Sequence, residues 1–246
     1  MGGRRLGVLI GLLAVAAVAI AAVWAAPIAF ERMLRSYLQH HPEIIAEAID
    51  RYQHREEQDA TQKQRTLLAE RSNELRFDPR SPVLGNPNGD VTVVEFFDYK
   101  CPFCRQLHPQ IPQLLAAEPN LRLVLKEFPL LGPESSVAAR ASIAVWQHQP
   151  AKFAAFHDAM MRSTARLDEN GVLRIARETG VDADGLMLDM ADPRIDRSVT
   201  DTRALALALG INGTPGLIIG DTVIPGYIDA AEIRRLVAQA RANCTS

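Results

Sequence analysis

An apolar run, Val91-Thr92-Val93-Val94-Glu95-Phe96-Phe97, ends just before Cys101-Pro102-Phe103-Cys104, where a helical pattern begins. Two cysteines three apart at a helix start can close a small disulfide ring, and the backbone N–H groups there favour a thiolate at the first. Zinc sites use the same spacing. A structural zinc site needs about four ligands, however, and no second CxxC exists; apart from His108, one turn beyond Cys104, the histidines are scattered. An inert structural disulfide is the other bland reading, and so short a loop stabilises little.

The redox reading depends on compartment. Residues 6–26 carry no charge and follow Arg4 and Arg5. At about 1.5 Å per residue such a run crosses a hydrocarbon core of about 30 Å. Its end, Val23-Trp24-Ala25-Ala26, also suits a signal peptidase. Residues 1–27 are therefore expected to be either a membrane anchor or a cleaved signal. In both cases the basic flank stays in the cytoplasm and the remainder is exported to an oxidising compartment. A formal net charge of −2 with no Lys/Arg-rich run argues against a nucleic-acid partner. Three cysteines are too few for a disulfide-stapled scaffold; a pair plus a leftover, Cys244, fits redox or metal chemistry better.

Residues 28–76 read as a helical segment. Phe30, Met33, Leu34, Tyr37, Leu38, Ile44, Ile45, Ala48, Ile49 and Tyr52 recur at three- and four-residue steps. Pro42 breaks the pattern, which predicts a helix to about His40 and a second with Pro42 in its first turn. From Gln53 to Thr66 the sequence is polar, a solvated stalk. The stripe needs a partner, either the main domain or a second copy. Turn-rich sequence at Asp78–Pro82 and Gly85–Asp90 marks a boundary, so 77–246 is expected to be the main domain. There, Val91–Phe97 and Leu121–Phe128 are strands joined by a helix from Cys101 to about Ala117, with a bend at Pro109 or Pro112, which implies a right-handed parallel crossover. Five helical stretches follow in a subdomain at about 134–209. Gly216–Gly220 and Thr222–Ile224 then form an antiparallel hairpin, and Asp229 caps a last helix.

Ile211-Asn212-Gly213-Thr214-Pro215-Gly216 stands before that hairpin, and a proline there belongs at a strand start or special turn. Through Glu95–Cys104 and Gly213-Thr214-Pro215, the sequence resembles the thioredoxin superfamily and, within it, the DsbA-like exported thiol–disulfide oxidoreductases. The resemblance covers about Pro82 to Ala242, and residues 30–76 resemble the N-terminal segment of the ScsC-like subgroup. It implies an α/β thioredoxin-like fold with an inserted helical subdomain. It also implies a cis Thr214–Pro215 bond beside the dicysteine, presenting backbone groups to an extended substrate. The implied partners are protein thiols or disulfides, a membrane redox partner of the DsbB or DsbD type, and further copies of the chain through 28–76.

Cys101, first in the motif and at the helix start, is the expected nucleophile, with Cys104 as resolving thiol. Phe103 brings no charge, whereas well-known DsbA members carry histidine there; a less extreme thiolate than theirs is expected, still below about 8.5. Glu95 is costly on an apolar strand unless paired or protonated. The resemblance makes it a buried acid assisting proton transfer at Cys104. Lys126, on the next strand, reads as a solvated lysine, with a charge partnership to Glu95 as the alternative. No metal or cofactor is expected. The sequence thus points to a periplasmic thiol–disulfide oxidoreductase, an oxidase or isomerase, held at the inner membrane by residues 6–26 if these are retained. The competing reading is an envelope peptide- or metal-binding protein with redox-silent cysteines.

Overall fold

The computed structural model describes Trp24 and residues 30–244. The anchor-or-signal segment 6–26 therefore lies, Trp24 apart, outside the described residues. Among the described residues no helix is long and apolar enough to cross a membrane. The chain divides into two compact units, Met1–Gln62 and Lys63–Ser246.

The first unit holds helix α1 (residues 30–40) and most of α2 (Pro42–Glu70). His41 separates them and Pro42 opens the second helix, because a first-turn proline sacrifices no helical hydrogen bond. The apolar stripe is exposed: Phe30, Met33, Leu34, Tyr37, Ile44, Ile45, Ile49 and Tyr52 all show more than a third of their surface.

The second unit starts inside α2 and continues through α3 (Ser72–Arg76). Its sheet comprises β1 (Val83–Gly85), β2 (Val91–Phe97), β3 (Leu121–Glu127), β4 (Gly216–Ile219) and β5 (Thr222–Pro225), in the order β1-β3-β2-β4-β5. β2 and β3 pair in parallel and the other neighbours antiparallel, as the crossover and the hairpin required. Between β2 and β3 run α4 (Pro102–Leu107), a 3-10 turn (His108–Gln110) and α5 (Ile111–Ala117). The helix expected there, with a bend at Pro109 or Pro112, is interrupted at Pro109. Helices α6 (Pro133–His148), α7 (Phe153–Arg162), α8 (Glu169–Glu178), α9 (Ala183–Asp189) and α10 (Pro193–Ala208) form the insertion, and α11 (Ala230–Cys244) closes the chain. Asp168, Asp182, Asp192 and Asp229 cap α8, α9, α10 and α11 through their side chains.

β1 was not expected. Three residues carry no readable period, and Gly85 looks like part of a turn. Gly85 has φ of 74°, and a Cβ on it would sit 2.6 Å from the Leu121 carbonyl oxygen, so the chain leaves this edge strand through a glycine.

Both sheet faces are covered. On one, Val91, Val93, Phe97, Leu123 and Leu125 pack with α4, α5 and the insertion. On the other, Val94, Phe96, Val124 and Ile218 pack with Leu68, Leu75, Leu205 and Leu209. Leu68 and Leu75 lie in the stretch that the sequence groups with the stalk, yet they form part of this second core.

Candidate active site

The end of β2 and the start of α4 deliver the dicysteine. Asp98 fixes the turn between them: its buried carboxylate accepts from the backbone N–H groups of Lys100 (2.8 Å), Leu130 (2.7 Å) and Leu131 (3.0 Å) and from Ser135 Oγ (2.8 Å). Its carbonyl accepts from the Cys101 N–H at 3.0 Å. One side chain thus ties the cysteine loop to the segment entering the insertion. Asp98→Ala strands several buried donors, each costing about 1–3 kcal/mol. Urea denaturation should show a loss of about 3 kcal/mol or more; a loss under about 1 kcal/mol would contradict this role.

Cys101 and Cys104 are both buried free thiols. The Thr214–Pro215 bond is cis, and the Cys101 thiol donates to the Thr214 carbonyl oxygen at 3.1 Å. Chain segments 113 residues apart are thereby brought together. The hydrogen bond from Cys104 pulls the Cys101 thiol down to about 5; the Thr214 side chain and the N–H groups of Cys104 and Phe103 add to it, against the cost of burial. The same pairing, with burial and the nearby Glu95, pushes Cys104 far up. The pair is split into a ready thiolate and a held thiol. Phe103 is exposed, its ring centroid 6.4 Å from that of Tyr227.

Glu95 is buried rather than the strand's exposed member. Burial, and then the Cys101 charge, raise it to about 8, so it holds a proton at neutral pH. Lys126 corrects the sequence reading twice. It is buried, not solvated, and it pairs in register with Phe96 while Glu95 pairs with Leu125, so its side chain leaves by the opposite face. There Lys126 donates to the Glu74 carbonyl and to Asp78, far from any partnership with Glu95.

The sequence reading passed over a second buried acid. Glu127 pairs in register with Phe97 and shares the face of Glu95, with the Ser142 hydroxyl beside its carboxyl. Burial lifts it well above the usual carboxylate range against that hydroxyl, and the Asp98 and Glu95 charges add to the rise. The signal existed: Glu127 interrupts an apolar strand as Glu95 does. Tyr99 donates to Ser142 Oγ (2.9 Å) and pairs with His157 Nδ1 (2.8 Å) behind the dicysteine. No group of three His, Cys, Asp or Glu among the described residues is placed to hold a metal.

Residues 92–238 match the family model of the DSBA-like thioredoxin domain. The chain belongs to the DsbA-like thioredoxin family. It is a thiol–disulfide oxidoreductase of α/β thioredoxin-like fold, with a helical insertion and N-terminal helices. Residues 29–59 match the N-terminal domain of the copper resistance protein ScsC. A thioredoxin-like oxidoreductase from Silicibacter pomeroyi is 46% identical, with 69% of this chain and 97% of that one covered and a TM-score of 0.66. ScsC of Proteus mirabilis, in a transitional conformation, is 27% identical over 89% of this chain and 98% of its own, TM-score 0.67. Disulfide bond formation protein D of Bacillus subtilis is 27% identical over 63% of this chain and 75% of its own length. The chain also matches Na(+)/H(+) antiporter NhaA 3 of Salinispora tropica, at 32% identity, but spans only 22% of that protein.

Proposed function

We propose that Cys101 and Cys104 exchange disulfides with exported proteins. The carrying observation is the asymmetry of the pair: a Cys101 thiol lowered to about 5, chiefly by its hydrogen bond from Cys104, beside a held Cys104. In the reducing direction the Cys101 thiolate attacks a substrate disulfide, forming a mixed disulfide and releasing one substrate thiolate. Cys104 loses its proton and attacks Cys101 Sγ; the Cys101–Cys104 bond forms and the second substrate thiolate leaves. The oxidising direction is the reverse. Glu95, neutral at rest and close enough to raise Cys104, gives up its own proton first and then takes the Cys104 proton as its carboxylate; in the oxidising direction it returns a proton to Cys104 as the acid. Thr214 and Pro215 present backbone groups to an extended substrate, which needs no side-chain match and suits broad specificity.

Arg4-Arg5 and the uncharged run 6–26 support export, with the periplasm as the compartment. There a membrane partner of the DsbB or DsbD type resets the pair. The exposed stripe along 30–52, with a groove of about 500 Å³ lined by Leu34, Leu38, Pro42 and Ile45, is the surface through which copies associate. An assembly with several dicysteines favours disulfide isomerisation over simple oxidation.

Alkylation with iodoacetamide, read by mass spectrometry, tests the dicysteine reading. A lowered thiol is reactive above its folded value and protected below it. Cys101 labelling should therefore rise through a midpoint near 5 and level off by pH 7, while Cys104 stays unlabelled until the protein is denatured. A Cys101 midpoint at or above about 8.5 would overturn the assignment.

A further inference from the structure

Glu95 faces a small cavity of about 10 Å³, whose other polar walls are His108 and His157 and whose apolar walls include Leu123, Leu125 and Met161. That volume suits one water, which needs two to four polar partners. Glu95 makes no hydrogen bond with the described residues, so its carboxyl has this space as its polar outlet.

The two histidines differ. His157 is fully enclosed: burial and then the neighbouring His108 lower it to about 3, so it stays neutral. Tyr99 donates its proton to Ser142, so its oxygen accepts from His157 Nδ1–H, leaving His157 Nε2 as an acceptor. His108, on the 3-10 turn just after α4, reaches the surface: its side chain is 11% exposed, and Nε2 lies 2.9 Å from Oδ1 of the half-exposed Asp158. Despite some burial, His108 and Arg162 hold Asp158 ionised. His108 Nε2–H therefore donates outward, and Nδ1 is left to receive a proton from the inner side.

We propose that His108 is the exit of a proton relay, in which one water held between Glu95, His108 and His157 carries the Glu95 proton to the protein surface and so frees the carboxylate that takes up the Cys104 proton. This rests on the exchange mechanism above. Glu95, protonated at rest, first passes its proton through the water to His108 Nδ1, and His108 releases its Nε2 proton beside Asp158. The carboxylate so formed takes the Cys104 S–H proton as Cys104 attacks the mixed disulfide, the Cys101–Cys104 bond forms and the substrate thiolate departs with the electron pair, which leaves Glu95 protonated again. In the oxidising direction the proton returns by the same groups. Glu127, on β3, adds a negative neighbour only when ionised, and Cys101 and Cys104 face Glu95 from α4 and its cap. Glu127 and Cys104 do not reach the surface, Cys101 is held in the mixed disulfide at this step, and His157 does not take the charge. That leaves His108.

The test uses the whole reduced protein and glutathione disulfide at saturating concentration, so that Cys104 attack on Cys101–glutathione limits the rate. His108→Asn and His108→Phe should each slow this step at least about tenfold at pH 7, general acid–base transfer contributing about 10²–10⁴-fold. The iodoacetamide profile of Cys101 should not move. His108→Asn combined with Glu95→Gln should be no slower than Glu95→Gln alone, because both act on one proton. Resolution within twofold of the unmodified rate in both variants, or losses that multiply in the double variant, would overturn the relay. A Cys101 that forms no mixed disulfide in the unmodified protein would instead overturn the exchange mechanism itself.

Discussion

Replacing Cys101 by serine is expected to reduce insulin reduction and scrambled-ribonuclease reactivation to the uncatalysed baseline. A hydroxyl forms no disulfide, and Cys104 cannot substitute: it is fully buried, and Cys101, burial and Glu95 all favour its thiol form. Cys104→Ser should behave differently. It leaves the Cys101 thiolate facing Thr214 but removes the group that resolves the mixed disulfide, so substrate proteins should accumulate covalently on Cys101 and be released by dithiothreitol. Cys104→Ala instead removes the leading hydrogen bond on Cys101, so its alkylation midpoint should rise from about 5. Redox activity surviving Cys101→Ser would contradict the role of Cys101, whereas chaperone-like behaviour left unchanged by Cys101→Ser would favour a peptide-binding protein with silent cysteines.

Leu75→Asp should destabilise the sheet unit by about 4 kcal/mol or more, since it removes a buried leucine and puts a carboxylate in its place. Leu75 is fully buried and packs with Leu68, Val94, Phe96 and Phe128 on the sheet face opposite the dicysteine. With total stabilities of about 5–15 kcal/mol, this consumes much of the margin. The same reasoning predicts where the chain can be shortened. A chain starting at Lys63 keeps Leu68 and Leu75 and should fold with near-full stability; one starting at Phe77 uncovers Val94 and Phe96 and should aggregate or melt early. Light scattering should find the chain starting at Lys63 monomeric and one starting at Phe30 associated. Equal urea midpoints for the chains starting at Lys63 and Phe77 would contradict the packing account.

Much of the fold was legible because the signals were local. Strand β2, the dicysteine and the helix after it lie within a short stretch, and the aspartate caps announce the insertion helices one by one. β1 was invisible for want of length, and the role of residues 63–76 for want of context: two leucines in a polar helix say nothing of the sheet they cover. Lys126 was misread because its strand register, which sends it away from Glu95, is a property of pairing and not of the strand alone. The site divides the same way. Cys101, Cys104 and Glu95 stand out by type and position. His108 and His157 reach one cavity only through the packing of α7 against α4, and no spacing in the sequence announces that.

The most direct test of a redox-active Cys101–Cys104 pair is its reduction potential, measured by equilibrating the protein in glutathione or dithiothreitol buffers and counting free thiols. A thiolate held near 5 stabilises the reduced form and makes the disulfide a usable oxidant. The account predicts one reversible two-electron transition between about −270 and −120 mV, the span from thioredoxin to a strong oxidant. A pair that forms no disulfide, or a bond that resists reduction below about −300 mV as structural disulfides do, would contradict it.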